Sequence, residues 1–487
     1  MSNPFNAVDF LAILPELILL VMGFVVLMFE MFGSGRDTRH LAYLTLLSLG
    51  VAGYAAISLL GTNLVGFWGT MVMDDFTIMF SLIFIIGTAL VVLISMRYQE
   101  DRNLPIGEYY GLLLFSAGGM VIMASARDLL MIFVGLEILS ISSYILAGII
   151  QKDPRSNEAA LKYFLLGAFA TGFLLYGMVL IYGGTGSIHL HEIQQAMRSN
   201  PSNSYIWLGL ALMLVGFGFK IALVPFHMWT PDVYEGAPTT ITAFLSGGPK
   251  AAGFAAIIRI LLEGLPLTSG QVTMAFWVIA ALTMTVGNVL ALRQNNIKRM
   301  LAYSSIAHAG YVLVAIIAGG ANGIGAVMFY MLGYVFMNTG AFAILIMASD
   351  KAQERVTFED FRGYGYIEPA LALIMFVFML SLAGIPLTAG FSGKFQIFRT
   401  AIAEGWIWLA IVGVLNSVIS IYYYLRIVVV MYMQPAIPGQ QAPKAAPSLP
   451  MYAALAVSVI GVVYLGIFPS DLLELTTSSA QSLLSLR

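Results

Sequence analysis

Long apolar runs recur along almost the whole chain, with only short polar stretches between them. A helix needs about 20 mostly apolar residues to cross a bilayer, and fourteen runs of roughly that length are present. The pattern predicts an all-α polytopic membrane protein with about fourteen transmembrane helices. Their expected bounds lie near 9–31, 40–60, 76–96, 108–125, 128–150, 158–182, 205–226, 240–264, 271–292, 300–318, 323–348, 369–396, 404–425 and 450–468.

Lysine and arginine are concentrated in alternate loops, as in membrane proteins whose cytoplasmic loops carry the excess of these residues. Of the 23, one side holds 14, the other side holds 4, and 5 fall inside apolar runs. We therefore expect both termini on the outer side. The inner 14 are Arg36, Arg39, Arg97, Arg102, Lys152, Arg155, Arg293, Lys298, Arg299, Lys351, Arg355, Arg362, Arg426 and Lys444. The outer 4 are Arg127, Arg198, Arg399 and Arg487.

Proline interrupts two of the runs, at Pro225 and at Pro386. Because proline lacks the backbone donor and clashes with the preceding turn, we expect each helix to break there. The broken runs lie five spans apart, so they have opposite orientations, which is typical of the inverted repeats of transporters; two unrelated kinks are the alternative. The predicted units are three N-terminal helices (1–107), a first five-helix repeat (108–265), a second (266–430), and a Pro-rich loop, last helix and interfacial tail (431–487).

The composition of the chain excludes several kinds of binding site. Cysteine is absent, which excludes thiolate iron-sulfur ligation and cysteine zinc sites within this chain. Only 10% of the residues are charged, and without a basic patch we expect no nucleic-acid partner. His189, His191 and Glu192 share one outer loop, where a solvated loop is the favoured interpretation over a metal site.

Three lysines, Lys220, Lys250 and Lys394, lie inside apolar runs. A charged residue at the bilayer centre costs about 2.5 to 3.5 kcal/mol and usually marks a functional pathway. Burial disfavours the charged form of an amine, so such lysines could exchange protons near neutral pH. The alternative for each is a structural, hydrogen-bonded lysine.

Glu137 is the only charged residue of its run, and Lys162 follows Glu158 by four residues. That spacing allows a pair along one helix face, but Glu137 on the preceding helix is a second possible partner, and the spacing leaves both open. His227 and His308 titrate near neutral pH and would suit a proton relay, although packing histidines fit as well.

Five stretches carry a family resemblance: GLEILSISSYIL, ALKYFLLGAFATGFLLYG, GFKIALVPFHMWTPDVYEGAPT, NIKRMLAYSSIAHAGY and LSLAGIPLTAGFSGKF. They resemble the antiporter-like membrane subunits of proton-pumping NADH:quinone oxidoreductase, respiratory complex I, over nearly the whole chain. The resemblance implies fourteen helices with two inverted five-helix units, each contributing a half-channel. It also implies that Glu137 pairs with Lys162, that this pair controls the proton affinity of Lys220, and that protons pass through Lys250 to Lys394.

The same resemblance implies a bacterial plasma (inner) membrane protein that does not function alone. Other membrane-arm subunits, including a second antiporter-like subunit, and the lipid bilayer would be its partners. No cofactor is expected in this chain, because NADH, FMN, iron-sulfur clusters and quinone would bind other subunits. A related subunit type usually has glutamate where this chain has Lys394, and another carries a long C-terminal lateral helix; we expect neither type here. A subunit of a multisubunit sodium/proton antiporter, or a structural spacer with silent lysines, are the alternatives.

Overall fold

The computed structural model describes residues 6–32, 39–102, 104–265, 270–350, 354–436, 439 and 448–485. Within these ranges the chain is built of helices joined by short loops, with one small β-hairpin. Most of the Pro-rich loop lies outside the described residues, as do four members of the charge count, namely Arg36, Lys351, Lys444 and Arg487.

The N-terminal unit consists of helices that pack beside a hairpin. The carboxylate of Asp9 accepts a hydrogen bond from the amide of Phe67 at 2.6 Å, which ties the first helix to the turn of that hairpin. The elements are α1 (Ala7–Ala12), α2 (Leu14–Phe32), α3 (Arg39–Ser58), the antiparallel pair β1 (Leu64–Gly66) and β2 (Met71–Met73), and α4 (Asp75–Arg102).

The helices of the next unit start and stop at residues suited to helix ends. Asp128 caps one helix by accepting from the Met131 amide at 2.7 Å, and Pro154 opens another, where its missing donor is harmless. The elements are α5 (Ile106–Ser125), α6 (Leu129–Ala147), α7 (Pro154–Thr185), α8 (Leu190–Ser199), α9 (Ser204–Lys220), α10 (Trp229–Gly236) and α11 (Thr239–Arg259), which continues into a π turn (Ile260–Gly264).

The remaining helices form the second half of the bundle. Gly319, at φ 70°, separates two long helices at a tight corner that favours glycine. The elements are α12 (Gly270–Ala291), α13 (Ile297–Ala318), α14 (Gly320–Ala348), a 3₁₀ turn (Glu359–Phe361), α15 (Tyr364–Ile367), α16 (Pro369–Ala383), α17 (Ala389–Ala403), α18 (Ile407–Met433), α19 (Leu449–Ile467) and α20 (Ser470–Ser485).

The prediction of an all-α polytopic membrane protein is confirmed. In the described part of the chain, twelve helices are long and apolar enough to cross a membrane, or thirteen if the bent pair Glu359–Ile367 and Pro369–Ala383 counts as one span. The apolar helix α9, with 17 residues, is shorter than these twelve. The count of fourteen and the inverted repeats stay predictions.

Both proline-containing runs are broken, although the helix bounds differ from those predicted. α9 ends at Lys220, five residues before Pro225. α16 ends at Ala383, because Gly384 turns the chain at φ 84°, and α17 begins only at Ala389. Lys220 therefore precedes its break, whereas Lys394 follows its own.

Five helices, α4, α5, α11, α13 and α14, are the most deeply buried in the bundle, with 78% to 100% of their apolar stretches buried. The apolar stretch of α11 is buried throughout, whereas only 33% of that of α7 is buried. Exposed apolar faces of this kind suit lipid or neighbouring subunits. The tail, predicted to be interfacial, forms α20 and packs closely on α14, since a Cβ placed on Gly325 would lie 2.8 Å from the Thr477 hydroxyl.

Candidate functional site

Lys220 is the last residue of α9 and is buried, 3% exposed. Its Nζ donates to the Ser140 hydroxyl of α6 at 2.9 Å. The backbone at the break finds partners inside the protein: the Trp229 indole donates to the Phe219 carbonyl at 2.8 Å, and the Val224 amide donates to the Thr283 hydroxyl at 3.1 Å. Because these polar groups are satisfied, non-helical backbone is tolerated at membrane depth.

Glu137 lies one helical turn from Ser140, the partner of Lys220 on α6. Its carboxylate accepts a hydrogen bond from the Thr171 hydroxyl of α7 at 3.1 Å. Lys162 lies nine residues before Thr171 on the same helix, about 13 Å away along its axis. The structure thus brings Glu137 to Lys220 rather than to Lys162.

Lys162 is placed between two other carboxylates. Its Nζ lies 2.8 Å from Glu158 and 2.8 Å from Asp232 of α10. Among the described ion pairs none joins it to Glu137, so the pair implied by the resemblance is not formed here. Glu158 is within reach of Lys162 because it lies four residues earlier on α7. The Glu137 carboxylate instead contacts α7 at Thr171, more than two helical turns from Lys162.

Asp232 also reaches the second half of the bundle, because its other oxygen lies 2.7 Å from Arg299 of α13. Arg299 in turn pairs with Glu235 at 2.9 Å. A chain of alternating charges therefore runs from Lys162 to α13 at the end of the bundle that carries Lys152. This end is called the inner end below, after the predicted orientation.

Lys250 lies in the middle of α11 and is 2% exposed. Its Nζ donates to the hydroxyl and the carbonyl of Ser305 on α13, at 2.6 and 3.1 Å. The preceding residue, Pro249, has no amide hydrogen, which leaves the Leu245 carbonyl without its helical donor. Tyr234 supplies the replacement, because its hydroxyl donates to that carbonyl at 3.1 Å.

Gly253 lets the end of α9 approach α11. A Cβ at this position would lie 2.4 Å from Ile221 and 3.6 Å from the Lys220 side chain. Because only glycine fits this contact, the stem of Lys220 lies against α11 one turn from Lys250.

One face of α13 continues the polar contacts. Ser304, Ser305, His308 and Tyr311 follow one another at helical spacing. The His308 ring is buried and both of its nitrogens are hydrogen-bonded, one to the Tyr330 hydroxyl and the other to that of Tyr424 at 2.9 Å. His308 also lies within electrostatic range of Lys250 and Lys394.

Lys394 closes this series on α17. Its Nζ donates to the carbonyls of Leu382 and Ala383, at 3.0 and 3.3 Å. These are the last carbonyls of α16, where a cation is favoured by the helix dipole. The same nitrogen lies 4.9 Å from the centre of the Tyr311 ring.

His227 is the candidate that the structure leaves apart. It lies in the break between Pro225 and Trp229, and no described hydrogen bond joins its ring to any of the three lysines. The outer loop predicted to be solvated shows no metal cluster either, and the same holds for every other described residue.

Several polar partners were not predicted from the sequence. Hydroxyls such as those of Ser140, Ser305 and Tyr424 carry no signal within apolar runs, because their partners come from helices far away in sequence. Asp232 did carry a signal in the sequence, because it is an acid in the short polar stretch PDVYEG between two apolar runs.

Residues 126–420 match the family model described as NADH:quinone oxidoreductase/Mrp antiporter, TM. The chain belongs to this family. Within the family, NADH-quinone oxidoreductase subunit N of Trichlorobacter lovleyi is 50% identical over 472 residues, which cover 96% of each chain. The resemblance to the antiporter-like membrane subunits is confirmed.

Solved structures of the same family share the fold. A chain of respiratory complex I from Thermus thermophilus with bound aureothin aligns at a TM-score of 0.80 and 35% identity, over 95% of this chain and 99% of that one. The Mrp complex from Dietzia sp. DQ12-45-1b aligns at a TM-score of 0.86 but 21% identity, over 99% of this chain and 98% of that one. At that identity the likeness concerns the fold alone.

Proposed function

We propose that this chain is the N-type membrane subunit of a bacterial proton-pumping NADH:quinone oxidoreductase, and that it moves protons through its buried lysines. The relatives named subunit N and the alignment with a complex I chain support this reading over the sodium/proton antiporter. It is a subunit of a translocase, and the redox chemistry takes place elsewhere in the complex.

The observation that carries the proposal is the polar series along α11, α13 and α17. Lys250 contacts Ser305, His308 lies one turn further along α13, and Lys394 lies over the Tyr311 ring. Each group can hold or pass a proton, and all are buried. A series of buried polar and charged groups of this kind in an apolar bundle is costly and usually marks a transport pathway.

The proposed route begins at Lys220, which is buried and has Glu137 one helical turn from its partner Ser140. A proton released from the Lys220 ammonium passes along α11 to the Lys250 amine, through Ser305 and His308, and on to Lys394. The tyrosine hydroxyls of Tyr330 and Tyr424 hold the His308 ring so that it accepts a proton at one nitrogen and gives one up at the other. Lys394 then releases the proton towards the outer side.

The surroundings of the subunit follow from this role. We infer a multi-pass protein of the bacterial inner membrane with both termini outside, assembled with other membrane-arm subunits that include a second antiporter-like one. Its exposed apolar faces, as on α7, would contact lipid or these neighbours. NADH, FMN, iron-sulfur clusters and quinone are assigned to other subunits.

Proton pumping driven by NADH in inverted membrane vesicles tests the proposal. We expect Lys220→Ala to abolish pumping and slow coupled quinone reduction while the complex still assembles. Lys152→Ala is the matched control, because Lys152 lies exposed in a loop at the inner end. Full pumping by the Lys220 variant would refute the role of the lysines, and a dependence of transport on sodium would favour the antiporter.

A further inference from the structure

Three buried polar side chains in the centre of the bundle lack hydrogen-bond partners among the described residues. They are both amide atoms of Gln99 on α4, both amide atoms of Asn338 on α14, and the hydroxyl of Tyr334 on α14. Each residue is at most 2% exposed. A buried polar group without a partner costs about 1 to 3 kcal/mol, so three such groups in one region point to a ligand that satisfies them.

Two of these residues, Tyr334 and Asn338, lie close to the partner of Lys250. Tyr334 lies 5.0 Å from His308 between ring centres, and its hydroxyl lies close to the side chains of Asn338 and Ser305. Ser305 accepts the hydrogen bond from Lys250. Asn338 and Tyr334 are thus neighbours, yet their polar atoms lack the geometry of a direct hydrogen bond among the described residues, and a bridging water would satisfy both.

The third group lies nearer the inner end, beside a polar cluster. Gln99 faces the hydroxyl of Tyr109, which donates to Thr240 at the start of α11 at 2.9 Å. The neighbouring Thr239 donates to Glu354 at 3.1 Å, and the Glu354 carboxylate is partly exposed. Polar groups therefore continue from Gln99 to the inner surface.

Glu354 is suited to an entrance because it is ionised. Burial would raise its pKa, but the charge of Lys298 and a hydrogen bond from Tyr98 outweigh burial and hold the pKa of this loop carboxyl below its ordinary value. A carboxylate at a mouth of this kind attracts protons from the inner side.

The gap between Asn338, near Lys250, and Thr240, near the inner end, is short. Val335 of α14 lies against Gly247 of α11, so both mark one level of the bundle. On α14, Asn338 lies three residues closer to the inner end than Val335, which is about 4.5 Å along the helix. On α11, Thr240 lies seven residues closer to the inner end than Gly247, which is about 10 Å. The remaining 6 Å or so corresponds to about two water molecules, which protein cavities hold where polar partners surround them.

The outer end of the same core offers no such path. Arg259 of α11 is fully buried and hydrogen-bonded through all three guanidinium nitrogens. Its partners are Ala124, Glu263, Asp74 and Thr77, at 2.6 to 3.1 Å. The described side chains that bind Arg259 are therefore paired with it or with one another, so the chain of unpaired groups does not continue along α11 past Arg259.

We infer that Gln99, Asn338 and Tyr334 hold a chain of water molecules that carries protons from the inner surface to Lys250, a second entrance that rests on the proposed transport through the lysines. Each transfer breaks one O–H bond and forms the next, and the amine of Lys250 becomes an ammonium. Lys250 is then loaded from the inner side without passage through Lys220.

The test uses the whole complex and the variant Asn338→Leu, which removes the central polar group. We expect pumping at saturating NADH to fall by about 10²-fold, the lower end of what loss of one proton-transfer group costs, with assembly retained. Asn338→Ser keeps a hydroxyl for water and should restore most of the rate. Thr88→Val is the matched control, because the Thr88 hydroxyl in this core already donates to the Phe84 carbonyl at 2.8 Å.

Radiolytic hydroxyl-radical labelling detects the water molecules, because it oxidises the side chains that lie next to them. In the wild type, Tyr334 should be oxidised severalfold faster than the buried Tyr423, whose hydroxyl is bound to Asn288 at 2.8 Å, and Asn338→Leu should remove the difference. Equal labelling of the two tyrosines in the wild type, or normal pumping by Asn338→Leu, would overturn the inference. Fast labelling of Tyr334 together with normal pumping by Lys250→Met would instead leave the water chain standing and refute the proposed route.

Discussion

Removal of the buried guanidinium of Arg259 should open the outer end of α11. The variant Arg259→Met leaves Asp74, which is 0% exposed, without its cation and with bonds only to Thr77. Glu263 keeps one partner, because Arg127 lies 2.6 Å away. Breaking a buried pair by removal of one partner costs about 3 to 5 kcal/mol.

Amide hydrogen exchange in the purified complex measures this loss locally. A cost of that size corresponds to roughly 10²- to 10⁴-fold faster exchange at the amides of the last turns of α11. Arg299→Met is the matched control, since the Arg299 side chain is 29% exposed and such pairs are worth about 0 to 1 kcal/mol. Adding Asp74→Asn to Arg259→Met should restore part of the protection, because a neutral amide replaces the unpaired carboxylate.

The result that would refute this reasoning is exchange in Arg259→Met as slow as in the wild type. The outer network would then contribute no more than the partly exposed one, and burial would not be what makes these pairs costly to break.

Three further variants test contacts around the lysines. Gly253→Ala should destabilise the subunit by about 1 to 3 kcal/mol, because its Cβ would lie 2.4 Å from Ile221; the yield of assembled complex measures this, and an unchanged yield would contradict the close approach. Tyr424→Phe removes the 2.9 Å bond to His308 and should lower coupled pumping severalfold, whereas unaltered pumping would exclude the hydroxyl from the relay. Lys394→Met should abolish pumping and, by removing two donors to the end of α16, speed amide exchange there; unchanged exchange would exclude the capping role.

Much of the fold could be predicted because apolar runs of membrane length have few other uses. The three buried lysines stood out for the same reason, since a charge inside such a run is costly and more often functional than structural. The helix bounds at the breaks were harder, because α9 ends five residues before Pro225 and α16 ends where Gly384 adopts a left-handed conformation. Pro225 indicated that the helix breaks, but not at which residue the helix ends.

The pairing of side chains could not be predicted to the same degree. Lys162 had two candidate carboxylates, and the structure added a third, Asp232, from a helix seventy positions away. Ser305 and Tyr424 contact the site only because α13 presents one face to α11 and α18 together. Such contacts depend on how helices rotate against one another, which no periodicity within one helix reveals.

The face of α13 has a mechanical consequence. Ser304, Ser305, His308 and Tyr311 belong to one rigid rod, yet their partners stand on α11, α14, α17 and α18. A small rotation or slide of that rod changes every one of these distances in the same instant. The part of the proposed route from Lys250 to Lys394 would therefore depend on one rigid-body coordinate, and an event in the assembly that turns α13 would change these contacts together.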